Sequence, residues 1–154
     1  MNPNEPIVLY TDGAASGNPG PGGWGAVLKC GPLRKELNGG FSLTTNNRME
    51  LLAVIKGLEA IRWEHAVVHV YSDSTYVVKS ITEGWLDNWI GKGWKKTKNV
   101  DLWQRFLPLR ERHELHFHWV KGHADNPENE RCDRLAVAAR EQTGLPSDEG
   151  YENI

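Results

Sequence analysis

The sequence predicts one α/β domain with a mixed five-stranded sheet and helices on both of its faces. The first observation is the order of its segments, because strand-like and helix-like stretches follow one another as β-β-β-α-β-α-α-β-α. The second is that only short turns join the first three strand-like stretches, which favours antiparallel pairing at that end of the sheet. The third is length, since 154 residues are enough for one core of ordinary size.

The first half of the chain supplies four predicted strands. The first, residues 7–11, ends at Asp12-Gly13, a pair typical of turns. Residues 20–25 match the G-x-G-x-x-G pattern of dinucleotide-binding loops, but strand-like residues follow them where that motif needs a helix. We therefore interpret this stretch as a turn between antiparallel strands, with a backbone open enough to approach a sugar-phosphate strand. The next strands are predicted at residues 24–30, about 34–43 and 67–71.

The helices are predicted from apolar spacing and from their start and stop residues. The first has Asn46 as its candidate cap. The last has a clear start, because Asn126 is a capping residue, Pro127 suits the first turn and Glu128 favours the helix dipole. The predicted helices are residues 46–61, about 75–89, 100–110 and 126–142, and the fifth strand is residues 115–120.

Composition indicates a globular chain. Hydrophobic residues make up 39% and charged residues 25%. The first six residues lack the basic and apolar regions of a secretory signal, and the apolar runs are too short to cross a bilayer. Cys30 and Cys132 lie far apart, so neither a disulfide framework nor a thiolate zinc site is indicated. We expect a cytoplasmic monomer whose domain spans residues 1–142, followed by an acidic, flexible tail at residues 143–154.

Asp12 and Asp73 each follow an apolar strand. The ends of strands in open α/β sheets are where ligands gather, so both aspartates are candidate site residues. Each also has a purely structural explanation. Asp12 fits a turn, and Asp73, which precedes Ser74-Thr75, fits a helix cap. Taken singly, neither aspartate distinguishes the two roles.

Glu50 is the more informative carboxylate. In a helix it lies on the apolar stripe formed by Ala53, Val54, Gly57 and Ile61. Burying a carboxylate on that side is costly unless it is paired or binds a metal. A favourable interaction with the helix N-terminus would explain an acid at this position but not on this face. The solvent side of the same helix is expected to carry Arg48, Lys56, Glu59 and Arg62.

Asp133, beside Ala136 in the last helix, completes a set of four carboxylates, although a surface salt bridge is an alternative role for it. Four carboxylates without thiolates favour Mg²⁺ or Mn²⁺ over zinc. Two such ions can activate a water molecule and stabilise a leaving oxygen in phosphodiester hydrolysis. They also reverse the local field that would otherwise repel phosphate. His123, in a loop, is a candidate for proton transfer or an ordinary exposed histidine.

A rival interpretation is a zinc hydrolase. His116 and His118 share one strand face, and together with His123 they could supply three imidazole ligands. That arrangement leaves the position of Glu50 unexplained, so the carboxylate site is preferred.

Tryptophans and lysines interleave between residues 85 and 98. Trp85, Trp89 and Trp94 alternate there with Lys92, Lys95, Lys96 and Lys98. The net charge of −2 is not the usual footprint of a nucleic-acid-binding protein, but this local lysine cluster suits contact with a nucleic-acid backbone. The alternative for the tryptophans is packing between helices.

Four motifs in order resemble those of type 1 ribonuclease H, close to its bacterial form, and the resemblance covers about residues 7–142. They are Tyr10-Thr-Asp-Gly13 followed by Gly17-Asn-Pro-Gly-Pro-Gly-Gly23, then Thr44-Thr-Asn-Asn-Arg-Met-Glu-Leu51, then Ser72-Asp-Ser-Thr-Tyr-Val77, and finally Trp119-Val-Lys-Gly-His-Ala124 with Asn129-Glu-Arg-Cys-Asp-Arg-Leu-Ala136.

The resemblance implies a ribonuclease H-like fold and endonucleolytic hydrolysis of RNA in an RNA–DNA hybrid, leaving 5′-phosphate and 3′-hydroxyl ends. It implies that Asp12, Glu50, Asp73 and Asp133 bind two Mg²⁺ ions, with Mn²⁺ as a substitute, and that His123 assists catalysis. The implied hybrid-binding residues are Asn18, Asn46, Asn47, Thr75 and, in a basic protrusion at residues 85–98, Trp85, Lys92, Trp94, Lys95 and Lys96.

Some positions depart from the family pattern. Thr75 stands where glutamine is common, Ala14-Ala15 where serine and cysteine are common, and Ile90-Gly91 where basic residues are common. These departures predict weaker binding of the hybrid. A module that binds hybrids without cutting them is the remaining alternative, and the intact carboxylates argue against it.

Overall fold

A computed structural model describes residues 5–121 and 126–152, and its sheet has five strands in the order β3-β2-β1-β4-β5. The elements are β1 (Ile7–Ala15), β2 (Gly20–Cys30), β3 (Leu33–Thr44), α1 (Asn46–Glu59), β4 (Val67–Ser72), α2 (Thr75–Thr82), α3 (Trp85–Gly91), α4 (Val100–Arg112), β5 (Glu114–Trp119), α5 (Pro127–Arg140) and α6 (Glu149–Glu152).

The sheet is mixed, as predicted. β1 pairs antiparallel with β2, and β2 with β3, whereas β4 lies parallel to both β1 and β5. Helices cover both faces. α1 packs so closely on one face that a Cβ atom at Gly57 would collide with Leu9 of β1. α5 packs on the other face, where the backbone of Ala136 lies against Gly23 of β2.

The glycine-rich stretch at residues 20–25 is strand rather than the predicted turn. It forms the first half of β2 and pairs with β1 on one side and with β3 on the other. A Cβ atom at Gly23 would collide with the Ala136 carbonyl oxygen, and one at Gly25 with the Cys132 carbonyl oxygen. The glycines therefore serve the close packing of α5 on the sheet.

The predicted helix at residues 75–89 is wrong as a single element, because it divides into α2 and α3. Gly84 lies between them with φ of +77°, a left-handed conformation that glycine adopts without steric cost. This change of direction places the end of α3 next to the lysine-bearing residues. We call residues 92–99, which join α3 to α4, the lysine loop.

Arg48 was expected on the solvent side of α1, and that expectation is wrong, since only 2% of the residue is exposed. Its guanidinium donates to Asp148, near the C-terminus, and to Asp101 in α4. Asp148, beyond the predicted boundary at residue 142, therefore contacts the domain, and the boundary itself stays a prediction. Among the helices within the described ranges, none is long and apolar enough to cross a membrane.

Candidate active site

Three carboxylates meet where the parallel pairing of two neighbouring strands, β1 and β4, ends. The parallel pairing of these strands ends at Tyr10 and Tyr71, and Asp12 and Asp73 each follow two residues later. Glu50 reaches the same point from α1. One carboxylate oxygen from each of the three residues lies within 4.8 Å of the others. Asp12 does not close its strand as predicted, because β1 continues to Ala15 through its pairing with β2.

Gly13 explains how Glu50 reaches the two aspartates. A Cβ atom at Gly13 would collide with the backbone of Met49 and Glu50, so only glycine allows β1 to pass this close to α1. The predicted apolar stripe is buried: Ala53, Val54 and Gly57 lie in α1, and Ile61 lies just beyond its end, because the helix stops at Glu59 rather than at the predicted residue 61. The packing of that stripe turns Glu50 toward the sheet edge.

The start of α1 is tied to β1 by polar side chains. Thr45, rather than the predicted Asn46, caps the helix, and its hydroxyl accepts from the Arg48 backbone N–H at 3.3 Å. Asn46 Oδ1 instead accepts from the Ala15 N–H at 2.6 Å. Asn18 Oδ1 accepts from the Asn46 N–H at 3.1 Å. Two of the three predicted hybrid-binding asparagines therefore also hold the loop after β1 against α1.

The electrostatics of the cluster fit a bound cation. Burial, followed by the charges of Asp12 and Asp73, raises the pKa of Glu50 well above its usual value. Burial also raises the pKa of Asp12 to about 7, with further increases from the charges of Asp73 and Asp133. Glu50 Oε1 is buried and has no hydrogen-bond partner among the described residues. An all-oxygen donor set of this kind suits a hard divalent ion such as Mg²⁺ or Mn²⁺.

Asp133 and His123 complete the predicted catalytic set. Asp133 lies in α5, partly buried, and its charge contributes to the raised pKa of Asp12. It is therefore near the cluster, although it is not among the three residues whose oxygens lie within 4.8 Å of one another. His123 lies outside the described residues.

Asn129 was missed by the sequence analysis as a site residue. It is 3% exposed, and its Nδ2 donates to the carbonyl oxygens of Thr11 and Tyr71, each at 3.3 Å. The side chain thus bridges β1 and β4, one residue before Asp12 and two residues before Asp73. Its position one helical turn before Asp133 was the available signal, since residues four apart share a helix face.

The rival histidine set does not form a three-ligand site in the described part of the chain. His116 Nε2 lies 2.7 Å from a Glu114 oxygen, and His118 Nε2 lies 2.9 Å from His69 Nδ1. The rings of His116 and His118 each stack with that of His69. Within the two described ranges, the group with metal-binding geometry is the carboxylate cluster. His123, the third proposed ligand, lies outside those ranges.

A cleft of about 610 Å³ opens beside the start of α1. Asn18 and Asn47 line one side of it, and Thr97 and Lys98 of the lysine loop line another. Asn47 is exposed. Thr75, the first residue of α2, is also exposed and follows Asp73 by two positions. These polar groups give the carboxylate cluster a neighbouring surface suited to a polar chain.

The tryptophans of residues 85–98 divide into two roles. Trp85 is 38% exposed, whereas Trp89 and Trp94 pack against the core. The packing role considered for the tryptophans therefore applies to these two. The lysines that flank them are exposed: Lys92, Lys95, Lys96 and Lys98. A further exposed aromatic residue, Trp119, was given no role from sequence; it is 54% exposed and donates from Nε1 to the Asp73 carbonyl oxygen at 3.2 Å.

Comparisons with known proteins agree with this geometry. A family model described as RNase H matches residues 4–141 of the chain. The Ribonuclease H of Rippkaea orientalis is 57% identical over 152 residues, covering 96% of this chain and 93% of that protein. The Ribonuclease H of Syntrophus aciditrophicus is 53% identical over 155 residues, covering 97% and 89%.

Solved structures show the same relationship. LC9-RNase H1, described as a type 1 RNase H with the type 2 active-site motif, has a TM-score of 0.81 at 31% identity and covers 99% of this chain and 82% of its own. LC11-RNase H1, solved in complex with an RNA/DNA hybrid, has a TM-score of 0.60 at 28% identity, with coverages of 86% and 95%. The predicted resemblance is confirmed: the chain belongs to the ribonuclease H family and is a nuclease of that family.

Proposed function

We propose that this protein hydrolyses the RNA strand of RNA–DNA hybrids, leaving 5′-phosphate and 3′-hydroxyl ends. The observation that carries the proposal is the convergence of Asp12, Glu50 and Asp73, in which the buried Glu50 Oε1 has no hydrogen-bond partner in the described part of the chain. The related LC11-RNase H1 has been solved with an RNA/DNA hybrid, which supports the same substrate class here.

The carboxylates would hold Mg²⁺, or Mn²⁺ in its place, through Asp12, Glu50, Asp73 and the nearby Asp133. Two such ions would supply an activated water molecule and charge stabilisation for the leaving oxygen. The chain itself supplies the arrangement: Gly13 lets α1 approach β1, and Asn129 bridges Thr11 of β1 and Tyr71 of β4. His123 is the proposed proton-transfer residue.

Recognition of the hybrid would depend on its backbone rather than its base sequence. The 2′-hydroxyl distinguishes RNA from DNA, and Asn18, Asn46, Asn47 and Thr75 offer amide and hydroxyl groups near the carboxylates. The exposed side chains of Trp85, Lys92, Lys95 and Lys96, together with Trp94, would lie along the DNA strand. Backbone contacts carry little base information, so sequence preference should be weak. A cytoplasmic monomer stays the prediction from composition.

The test is incubation of the protein with an end-labelled RNA–DNA hybrid in Mg²⁺, beside duplex DNA and duplex RNA. The Asp12→Asn protein should lose at least about three orders of magnitude of cleavage rate, because it removes one ligand from the cluster. Glu59→Gln is the control, since Glu59 is an exposed carboxylate of α1 that pairs with Arg105 at the surface, away from the proposed binding residues.

Each alternative has its own outcome in that experiment. Binding of the hybrid without cleavage would replace the nuclease proposal with a binding module. Stoichiometric zinc in the purified protein, with inactivity in Mg²⁺, would favour the histidine-based hydrolase. Equal cleavage of the hybrid by the wild-type and Asp12→Asn proteins would refute the carboxylate mechanism.

A further inference from the structure

The C-terminal segment, residues 146–152, forms one wall of the cleft beside α1. The Ser42 N–H of β3 donates to the Pro146 carbonyl oxygen at 2.9 Å, which attaches the segment to the sheet. Gly150 and Tyr151 line the cleft together with Asn47. The cleft therefore has walls from three parts of the molecule, namely the start of α1, the end of the lysine loop and the C-terminal segment.

Arg48 connects these three parts. Its Nε and Nη2 donate to the two Asp148 oxygens at 2.7 and 3.0 Å. Its Nη1 and Nη2 donate to the two Asp101 oxygens at 2.8 and 2.7 Å. Nη1 also lies 3.4 Å from Asn99 Oδ1, at the end of the lysine loop. Because two carboxylates bind the guanidinium in its plane, the group has one orientation. A shift of either partner therefore displaces Arg48 and, with it, the other partners.

Asp148 is the partner that fixes Arg48 to the sheet. It is 6% exposed, and it also accepts from the Thr44 hydroxyl at 2.6 Å, at the end of β3. Asn99 is held on its far side as well, where its Nδ2 donates to the Tyr76 hydroxyl at 3.1 Å. The end of the lysine loop thus has a fixed place relative to β3 and α1.

We propose that Asp148 is a positioning residue for the nucleic-acid substrate. Through Arg48 it sets the separation across the cleft between Asn47 on α1 and Lys98 in the lysine loop. This inference rests on the proposed function, because it takes the occupant of the cleft to be the backbone of the hybrid. A backbone that must contact both walls binds less tightly when the walls are free to shift.

The electrostatic effect of Asp148 has the opposite sign to its positioning effect, and this separates the two. Removing a negative charge near a polyanion strengthens binding if long-range charge is all that matters. Loss of positioning weakens it. Glu149 is the matched control, since it is the neighbouring acid, is exposed, and makes none of the bonds to Arg48 described above.

The experiment measures KM and kcat for hybrid cleavage by the full chain, well below each protein's melting temperature. We expect Asp148→Asn to raise KM by about 3- to 10-fold with kcat unchanged, and Asp148→Glu to restore most of the affinity. Glu149→Gln should leave KM unchanged or slightly lower. If Asp148→Asn does not fold, Asp101→Asn tests the same connection from α4 and should also raise KM.

A KM for Asp148→Asn, or for Asp101→Asn if that variant is needed, equal to or below that of Glu149→Gln would overturn the inference. A fall in kcat at constant KM would overturn it as well, since positioning of the substrate acts on binding. Cleavage of the hybrid by the wild-type protein in the same assay tests the proposed function. That test does not depend on Asp148, so failure of either proposal can be recognised by itself.

Discussion

Two clusters of acidic side chains meet the first two turns of α1, one around Arg48 and one at Glu50. They differ in whether a basic side chain of the protein neutralises the carboxylates. At Arg48, one guanidinium donates to Asp101 and to Asp148. At Glu50, two residues later, the neighbouring charges are those of Asp12 and Asp73, and both raise the pKa of Glu50. The same helix therefore contributes to one acidic cluster that an arginine neutralises and to one in which the carboxylates raise one another's pKa.

The difference indicates what each cluster is for. The hydrogen bond from Arg48 lowers the pKa of Asp101, so that cluster favours its ionised state and stabilises the fold. Burial raises the pKa of Glu50 and of Asp12, so the ionised state of the other cluster is disfavoured until a cation arrives. A folded protein tolerates such a cost mainly at functional sites.

The largest effect on stability is expected at the internally neutralised cluster. Arg48→Met leaves the buried Asp148 without its cation, and such losses cost about 3–5 kcal/mol in free energy of unfolding. Urea denaturation at neutral pH measures this. Arg105→Met is the control, because Arg105 pairs with Glu59 at the surface and should lose less than about 1 kcal/mol. Similar losses in the two variants would contradict the contrast.

At the cluster of Asp12, Glu50 and Asp73, removing a charged group should stabilise the fold rather than destabilise it. Because the folded protein raises the pKa of Glu50, its stabilising contribution is present at low pH and is lost as pH rises through the raised value. Without metal, Glu50→Gln should therefore match the wild type near pH 4 and be more stable than the wild type at pH 8. Thermal or urea unfolding in a chelator gives the comparison. If Glu50→Gln is instead less stable than the wild type at pH 8, ionised Glu50 does not destabilise the fold.

The lysine loop also carries cationic side chains; its four lysines are exposed, and Lys98 lines the cleft. Changing Lys95 and Lys96 to alanine should weaken hybrid binding uniformly across sequences, and should reduce the slope of log affinity against log salt by about 1.5–2. Lys35→Ala, in β3, should leave the slope unchanged. Fluorescence anisotropy at several salt concentrations measures both. An unaltered slope in the double variant would mean that these lysines are solvated surface, and that the loop adds no charge to substrate binding.

Much of the fold could be predicted from local sequence patterns, and the wrong predictions concern residues whose positions depend on contacts with distant parts of the chain. Apolar spacing placed Glu50 on the buried side of α1, and the observed burial of Ala53 and Val54 agrees. The same spacing put Arg48 in solvent, because no local rule reveals that Asp148, one hundred residues away, lies against it. The stretch at residues 20–25 looked like a turn because its glycines make room for α5, which is also distant in sequence.

The candidate site was predictable to a similar degree. Asp12, Glu50 and Asp73 come together as predicted, although Asp12 lies where the parallel pairing of β1 with β4 has ended and not at the end of its strand. Asn129 was missed because its role depends on two carbonyl oxygens, of Thr11 and Tyr71, that only the sheet brings side by side. The exposure of Trp85, in contrast to Trp89, could not be read from sequence because both residues lie on the same short helix.

The central claim is that the Glu50 cluster is built to receive a divalent cation, and calorimetric titration with Mg²⁺ or Mn²⁺ tests it most directly. In buffers of different ionisation enthalpy near pH 7, binding to the wild type should release protons, because Asp12, with a pKa of about 7, and Glu50 must ionise. Affinity should therefore rise with pH, and Glu50→Gln should bind more weakly. Binding without proton release, or with the same affinity in Glu50→Gln, would contradict the account.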